Sequence, residues 1–104
     1  MGNKKRIKFS DMVSGSRPVL VDFYATWCGP CKSLSPVISD VRKELARKMK
    51  VLKVDIDKEQ SAAKKFKIQS VPTLAIFKRG KIIWRETGMT TKTQLLKVAN
   101  KYMD

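Results

Sequence analysis

One hundred and four residues carry 42% hydrophobic side chains and a formal net charge of +14, from 23 Lys and Arg against 9 Asp and Glu. That length supports one domain over residues 1–104, with a core that needs no disulfide staple or structural metal. No apolar stretch reaches membrane-spanning length, and the basic start M-G-N-K-K-R leads into no export segment, so a soluble cytoplasmic protein is expected. Arg6 also stands where a myristoylation pattern wants Ser or Thr. The basic residues run along the whole chain and fall mostly opposite the apolar stripes of helices. This distribution favours solubility and partner steering over a dedicated polyanion site, and neither a membrane nor a nucleic-acid partner is expected.

In chain order, the few apolar residues at 7–9 point to a short edge strand. Ser10 or Asp11 is placed to cap a brief helical turn around Met12 and Val13, closed by S-G-S at 14–16. Residues 19–25, V-L-V-D-F-Y-A, are a near-continuous apolar run with β-branched and aromatic members, as in a central strand buried on both faces. From Cys31 the period changes. Leu34, Val37, Ile38, Val41, Leu45 and Met49 recur at three- and four-residue spacing, which predicts a helix of several turns. Glu44 is placed to pair with Lys48 on its outer face, and Pro36 should kink it by removing a backbone donor.

Residues 51–56 read as a second strand. Asp57, with Gln60 three residues on, is placed to cap a short helix carrying Ala62, Ala63 and Phe66. A third strand covers 73–77, the turn K-R-G-K at 78–81 reverses the chain, and 82–86 return as its antiparallel partner. Gly88 breaks that strand; Thr91 and Gln94 form a capping box for a last helix with Leu95, Val98, Ala99 and Tyr102 on its buried stripe. Parallel crossovers followed by a hairpin imply an α/β fold, one mixed sheet with helices on both faces.

Both cysteines lie in one five-residue run, W-C-G-P-C, from Trp27 to Cys31. A disulfide this local closes too short a loop to restrict the unfolded chain much, so the pair reads as chemistry rather than scaffolding. A zinc half-site would need two more ligands, and the chain has no spare Cys or His.

With V-D-F-Y-A-T-W-C-G-P-C-K at 21–32, S-V-P-T at 70–73, Lys53 before D-I-D at 55–57, and Gly88 after the hairpin, the chain resembles the thioredoxin family along nearly its whole length. The resemblance implies a thioredoxin fold and a protein dithiol–disulfide oxidoreductase that reduces client proteins. It also implies no bound cofactor beyond a redox-active Cys28–Cys31 disulfide, recharged by a thioredoxin reductase drawing on NADPH. A monomer is expected. Two further readings stay open: a client set restricted to acidic partners, because +14 departs from the family's near-neutral or acidic balance, and a non-enzymatic scaffolding module. Intact Cys28 and Cys31 count against the last as sole function.

At the first turn of a helix, free amide donors and the positive dipole end would favour a Cys28 thiolate. Cys28 is therefore expected to attack, exposed to the substrate, and Cys31, more shielded one turn on, to resolve the mixed disulfide. Gly29 and Pro30 set the turn between them, Pro30 lacking a donor that would be unsatisfied there anyway. Similarity implies that a Gly-Pro spacer belongs with reducing members, since oxidising relatives carry a histidine in it. Asp22 is a carboxylate in a buried strand, so its pKa should rise towards neutrality. In the family's pattern this position handles the proton of the resolving thiol; a polar residue tolerated by a water is the alternative. Lys53 matches the lysine that pairs with this aspartate, an ordinary solvated strand lysine being the other reading. The resemblance makes Pro72 a cis proline beside the disulfide, with the Val71 backbone pairing an extended client strand. Trp27 would shield the site, and Trp84 is assigned to packing.

Overall fold

The computed structural model describes residues 8–103. Along the chain lie α1 (Phe9–Met12), β1 (Val19–Tyr24), α2 (Gly29–Leu45), β2 (Lys50–Asp55), α3 (Gln60–Lys65), β3 (Thr73–Lys78), β4 (Lys81–Thr87) and α4 (Lys92–Tyr102). The strands form one mixed sheet in the order β2-β1-β3-β4. β1 pairs parallel to β2, with Asp22 beside Lys53, and antiparallel to β3. A central strand has neighbours on both edges and helices on both faces, which explains the unbroken apolar run that encodes β1.

Because successive strand residues point to opposite faces, β1 feeds two cores. Leu20 packs with Leu34, Ile38, Val41 and Leu45 of α2 and with Leu95 and Ala99 of α4. Val19, Val21 and Phe23 pack instead with Phe9, Val13, Ala75 and Phe77, against which Ala62, Ala63 and Phe66 lean from the α3 side. On this second face four Phe rings interlock, with Phe77 in contact with Phe9, Phe23 and Phe66 at centroid separations of 5.4, 6.1 and 4.9 Å. Edge-to-face rings at such distances add to simple burial.

The hairpin turn holds both Arg79 and Gly80 at positive φ, 55° and 79°. That backbone suits the twist of a two-residue hairpin and explains the glycine. The β3–β4 pairing slips by one residue: Ile76 faces Trp84 while Phe77 faces Ile82, leaving Ile83 as a bulge. Trp84 thus joins the α2–α4 core and Ile82 the aromatic one.

Several local expectations are corrected. Phe9 belongs to α1 rather than to an edge strand, Lys8 takes the N-cap position without a side-chain cap, and Ile7 lies outside the described residues. Ser10 and Asp11 are therefore inside the turn, not its caps. The α2 helix ends at Leu45, where Ala46 turns to φ 47°, so the buried Met49 lies beyond the helix. Glu44 then meets Lys92 of α4 at 3.5 Å instead of Lys48, which has left the helix. At α3 the N-cap is Glu59, while Gln60 donates its side-chain amide to the Asp57 carbonyl at 3.1 Å. Thr91 does cap α4, its hydroxyl accepting from the Gln94 N–H at 3.2 Å.

Candidate active site

The carboxyl end of β1 delivers the chain directly into α2, so W-C-G-P-C sits on the sheet-to-helix turn. Cys28 is the N-cap of α2, in extended conformation, followed by Gly29 and Pro30 at the start of the helix. Proline fits there because the first-turn N–H groups have no intrahelical acceptor. One of those orphan donors, the Cys31 N–H, is given to Cys28 Sγ at 3.1 Å. Cys28 and Cys31 are joined by a disulfide, their Cα atoms 5.3 Å apart.

The expected difference in exposure between the two sulfurs is absent. Cys28 is 4% and Cys31 6% exposed, both packed with Ala25 and leaned on by Tyr24, Ile56 and Val71. Both cysteines share one small apolar pocket. What separates them is polar surroundings. Cys28 Sγ receives the helix N–H and lies 3.7 Å from the Val71 carbonyl oxygen.

Val71 precedes a cis peptide bond to Pro72. Neither backbone group of Val71 has a backbone partner among the described residues. Around it the loop is fixed: Thr73 donates its hydroxyl to the Ser70 carbonyl at 2.6 Å, and the Pro72 carbonyl accepts from the Gly88 N–H at 2.9 Å. Gly88 has φ 101°, a conformation that strains any side-chain-bearing residue, and this turn brings the end of β4 beside Pro72.

Trp27 is 67% exposed beside the disulfide turn, yet its indole is tethered. Nε1 donates to Asp57 Oδ2 at 2.9 Å, and Asp57 in turn donates its backbone N–H to Asp55 Oδ1 at 2.8 Å. The buried Asp55 carboxylate thereby shapes the turn that presents Asp57. The sequence offers Asp57 only as a helix cap and gives Asp55 no role; the D-I-D run is visible, but the indole that Asp57 binds is thirty residues away.

Asp22 lies on the same side of β1 as Leu20, facing α2. It is 2% exposed, and its Oδ1 has no hydrogen-bond partner among the described residues. Desolvation raises its pKa from 3.8 to about 6, against a smaller lowering by the Lys53 ammonium. Lys53 does not close a hydrogen bond to Asp22. Its Nζ donates to Ser35 Oγ on α2 at 3.1 Å and sits 4.8 Å from the Tyr24 ring centroid. The structure thus brings Cys28, Cys31 and Val71 together, links Gly88 to them through the Pro72 carbonyl, holds Trp27 on the same turn through Asp57, and sets the buried Asp22 beside the exposed Lys53 in the β1–β2 register. Among the described residues, no three His, Cys, Asp or Glu gather to hold a metal, and no helix is long and apolar enough to cross a membrane.

Known proteins show the same pattern. A family model described as Thioredoxin matches residues 3–101. A thioredoxin of Rickettsia conorii is 44% identical over 98 residues, 94% of this chain and 89% of its own. A bifunctional thioredoxin reductase/thioredoxin of Mycobacterium leprae is 40% identical over 89 residues, 86% of this chain but 19% of its own. Among solved structures, a mutant thioredoxin from Halobacterium salinarum superposes with a TM-score of 0.83 at 31% identity, covering 97% of this chain and 88% of that one.

Proposed function

This chain belongs to the thioredoxin family and is a thiol–disulfide oxidoreductase, and we propose that, as one domain, it reduces disulfides of client proteins in the cytoplasm. The observation that carries the proposal is the Cys31 N–H directed at Cys28 Sγ, which stabilises a Cys28 thiolate once the disulfide is opened. That thiolate attacks one sulfur of the client disulfide. The client S–S bond breaks, one client thiolate leaves, and a mixed disulfide forms at Cys28. Cys31, losing its proton, attacks Cys28 Sγ; the second client thiolate departs and the Cys28–Cys31 disulfide re-forms. Two electrons have passed to the client.

Asp22 supports the second step as acceptor of the Cys31 proton, since a carboxyl titrating at about 6 exchanges protons near neutral pH. The open N–H and C=O of Val71 would pair an extended client strand beside the reacting sulfurs, a main-chain mode that accepts many sequences. The exposed Trp27 would add apolar contact to such a strand. Electrons return from NADPH through a thioredoxin reductase; the Mycobacterium leprae relative, named as reductase and thioredoxin in one chain, favours this donor. The net charge of +14 favours acidic clients and a monomer kept apart from its copies by charge.

Replacing Cys31→Ser in the full chain and adding it to cell extract tests the exchange. Mixed disulfides at Cys28, reversible by dithiothreitol and enriched in acidic proteins, are expected to accumulate together with the reductase. A folded Cys31→Ser variant that traps nothing would end the proposal.

A further inference from the structure

At the end of the sheet opposite the disulfide, a cavity of about 830 Å³ opens between the α1–β1 connection, the last turn of α2 and the start of β2. Arg17, Arg42, Arg47, Lys48 and Lys50 line it, with Asp11 as its one acidic residue. Basic residues at a helix C-terminus are ordinary, because they complement the dipole. That accounts for Arg42, Arg47 and Lys48. It does not account for Arg17 and Lys50, which arrive from other elements. Among the described residues none of the five makes a salt bridge.

The walls are fixed. Arg42 donates to the Val51 carbonyl at 2.7 Å, which uses one of its five guanidinium donors and ties two lining residues together. The positive φ of Ala46 ends α2 abruptly and turns Arg47 and Lys48 away from the helix axis. Opposite, the hairpin turn rivets the α1–β1 connection, with Arg79 N–H donating to the Gly15 carbonyl at 2.8 Å and Gly80 N–H to that of Val13 at 2.9 Å. Five like charges held around one concavity repel each other until an anion enters.

We propose that this cleft binds a small ligand bearing adjacent phosphate groups, a nucleotide or an inorganic polyphosphate, independently of the disulfide chemistry. Its volume falls in the range of small-molecule sites. Planar guanidinium groups match phosphate oxygens two at a time, and three of the five cations are arginines. Long nucleic acid fits less well, since it follows a stripe of charge rather than a pocket.

Calorimetric titration of the full chain with inorganic tripolyphosphate and with ATP, at physiological salt, tests the site. Saturable binding is expected. The triple variant Arg17→Gln/Arg47→Gln/Lys48→Gln should weaken it by about tenfold or more, while Lys64→Gln/Lys81→Gln/Lys97→Gln, equal in charge change but outside the cleft, should alter it by less than about twofold. Asp11→Asn should tighten it. Tighter binding of ATP than of tripolyphosphate supports the site and makes the ligand a nucleotide; equal affinities support it and make the phosphate chain alone the ligand. Equal weakening by both triples, or no saturation with either probe, overturns the proposal. Retained disulfide reduction and an unchanged unfolding midpoint certify each triple as folded. If the cleft triple unfolds, the exposed Arg47→Gln alone is used, with about threefold weakening expected and no change overturning the site.

Discussion

The two faces of the sheet are built from alternate residues of the same strands, yet they are put to different use. Towards α1 and α3, β1 contributes Val19, Val21 and Phe23 to a cluster of interlocked Phe rings. Towards α2 and α4 it contributes Leu20 to an aliphatic core and, two residues on, Asp22, a buried carboxylate with an unpartnered oxygen. One face gains stability from every side chain it buries. The other gives some up at a single position, under the helix that carries both sulfurs. Alternation along one strand is enough to keep the two roles apart.

The comparison breaks most visibly at Phe77, fully buried and touching three other rings. Phe77→Ala should lower unfolding free energy by about 3–5 kcal/mol in urea titration. Disulfide reduction per folded molecule should be unchanged; a larger loss would show that the aromatic face also shapes the site.

Asp22→Asn should act in the opposite sense. The folded protein holds Asp22 at about 6 against 3.8 for the solvent-exposed carboxyl of the unfolded chain, so folding favours its protonated form. This group's contribution to stability is fully present below pH 3.8 and is lost as pH rises through about 6. The loss corresponds to about 3 kcal/mol at neutral pH. The variant should therefore be more stable than the parent at pH 7 by up to about that amount, and urea midpoints measured from pH 4 to 8 should lose the downward slope. Release of clients from the mixed disulfide should slow at the same time. A parent whose stability is flat between pH 4 and 7 would contradict the assignment.

Lys53→Gln is the gentlest probe of the same face. Without the ammonium, the carboxyl of Asp22 should titrate higher still, as followed by NMR of its side-chain carbon, while stability changes by less than about 1 kcal/mol. A downward or absent movement would mean that the two residues do not sense one another.

Much of this arrangement is legible in the chain itself, and the failures share a cause. The central strand, the long helix, the hairpin and the W-C-G-P-C turn announce themselves because periodicity and turn chemistry are local. Residues 7–9 are too few to show a period, so they suggest a strand at Phe9; its helical turn is held by packing against Phe23, Phe66 and Phe77. Met49 continued the apolar spacing of α2, yet no glycine or asparagine marks the stop at Ala46, whose positive φ is set by tertiary context. Trp27 and Asp57, or Glu44 and Lys92, meet only because the sheet and helices fold them together. The buried state of Cys28 likewise depends on Val71 and Ile56, forty-three and twenty-eight positions downstream.

The slip between β3 and β4 has a consequence for how this hairpin tolerates change of length. Ile82 and Trp84 are both even-numbered but enter opposite cores, because Ile83 stands between them without a cross-strand partner. Removing Ile83 would join Ile82 to Trp84 in unbroken register and leave every flanking side chain on its own face. Because residues 82 and 83 are both isoleucine, deleting either gives the same chain, whereas removing a residue beyond Trp84 would keep the bulge and invert part of the strand. A chain shortened by one of these two isoleucines is expected to unfold at nearly the parent's urea midpoint, which makes the Ile82–Ile83 pair the place where this fold can lose an amino acid without rewriting its cores.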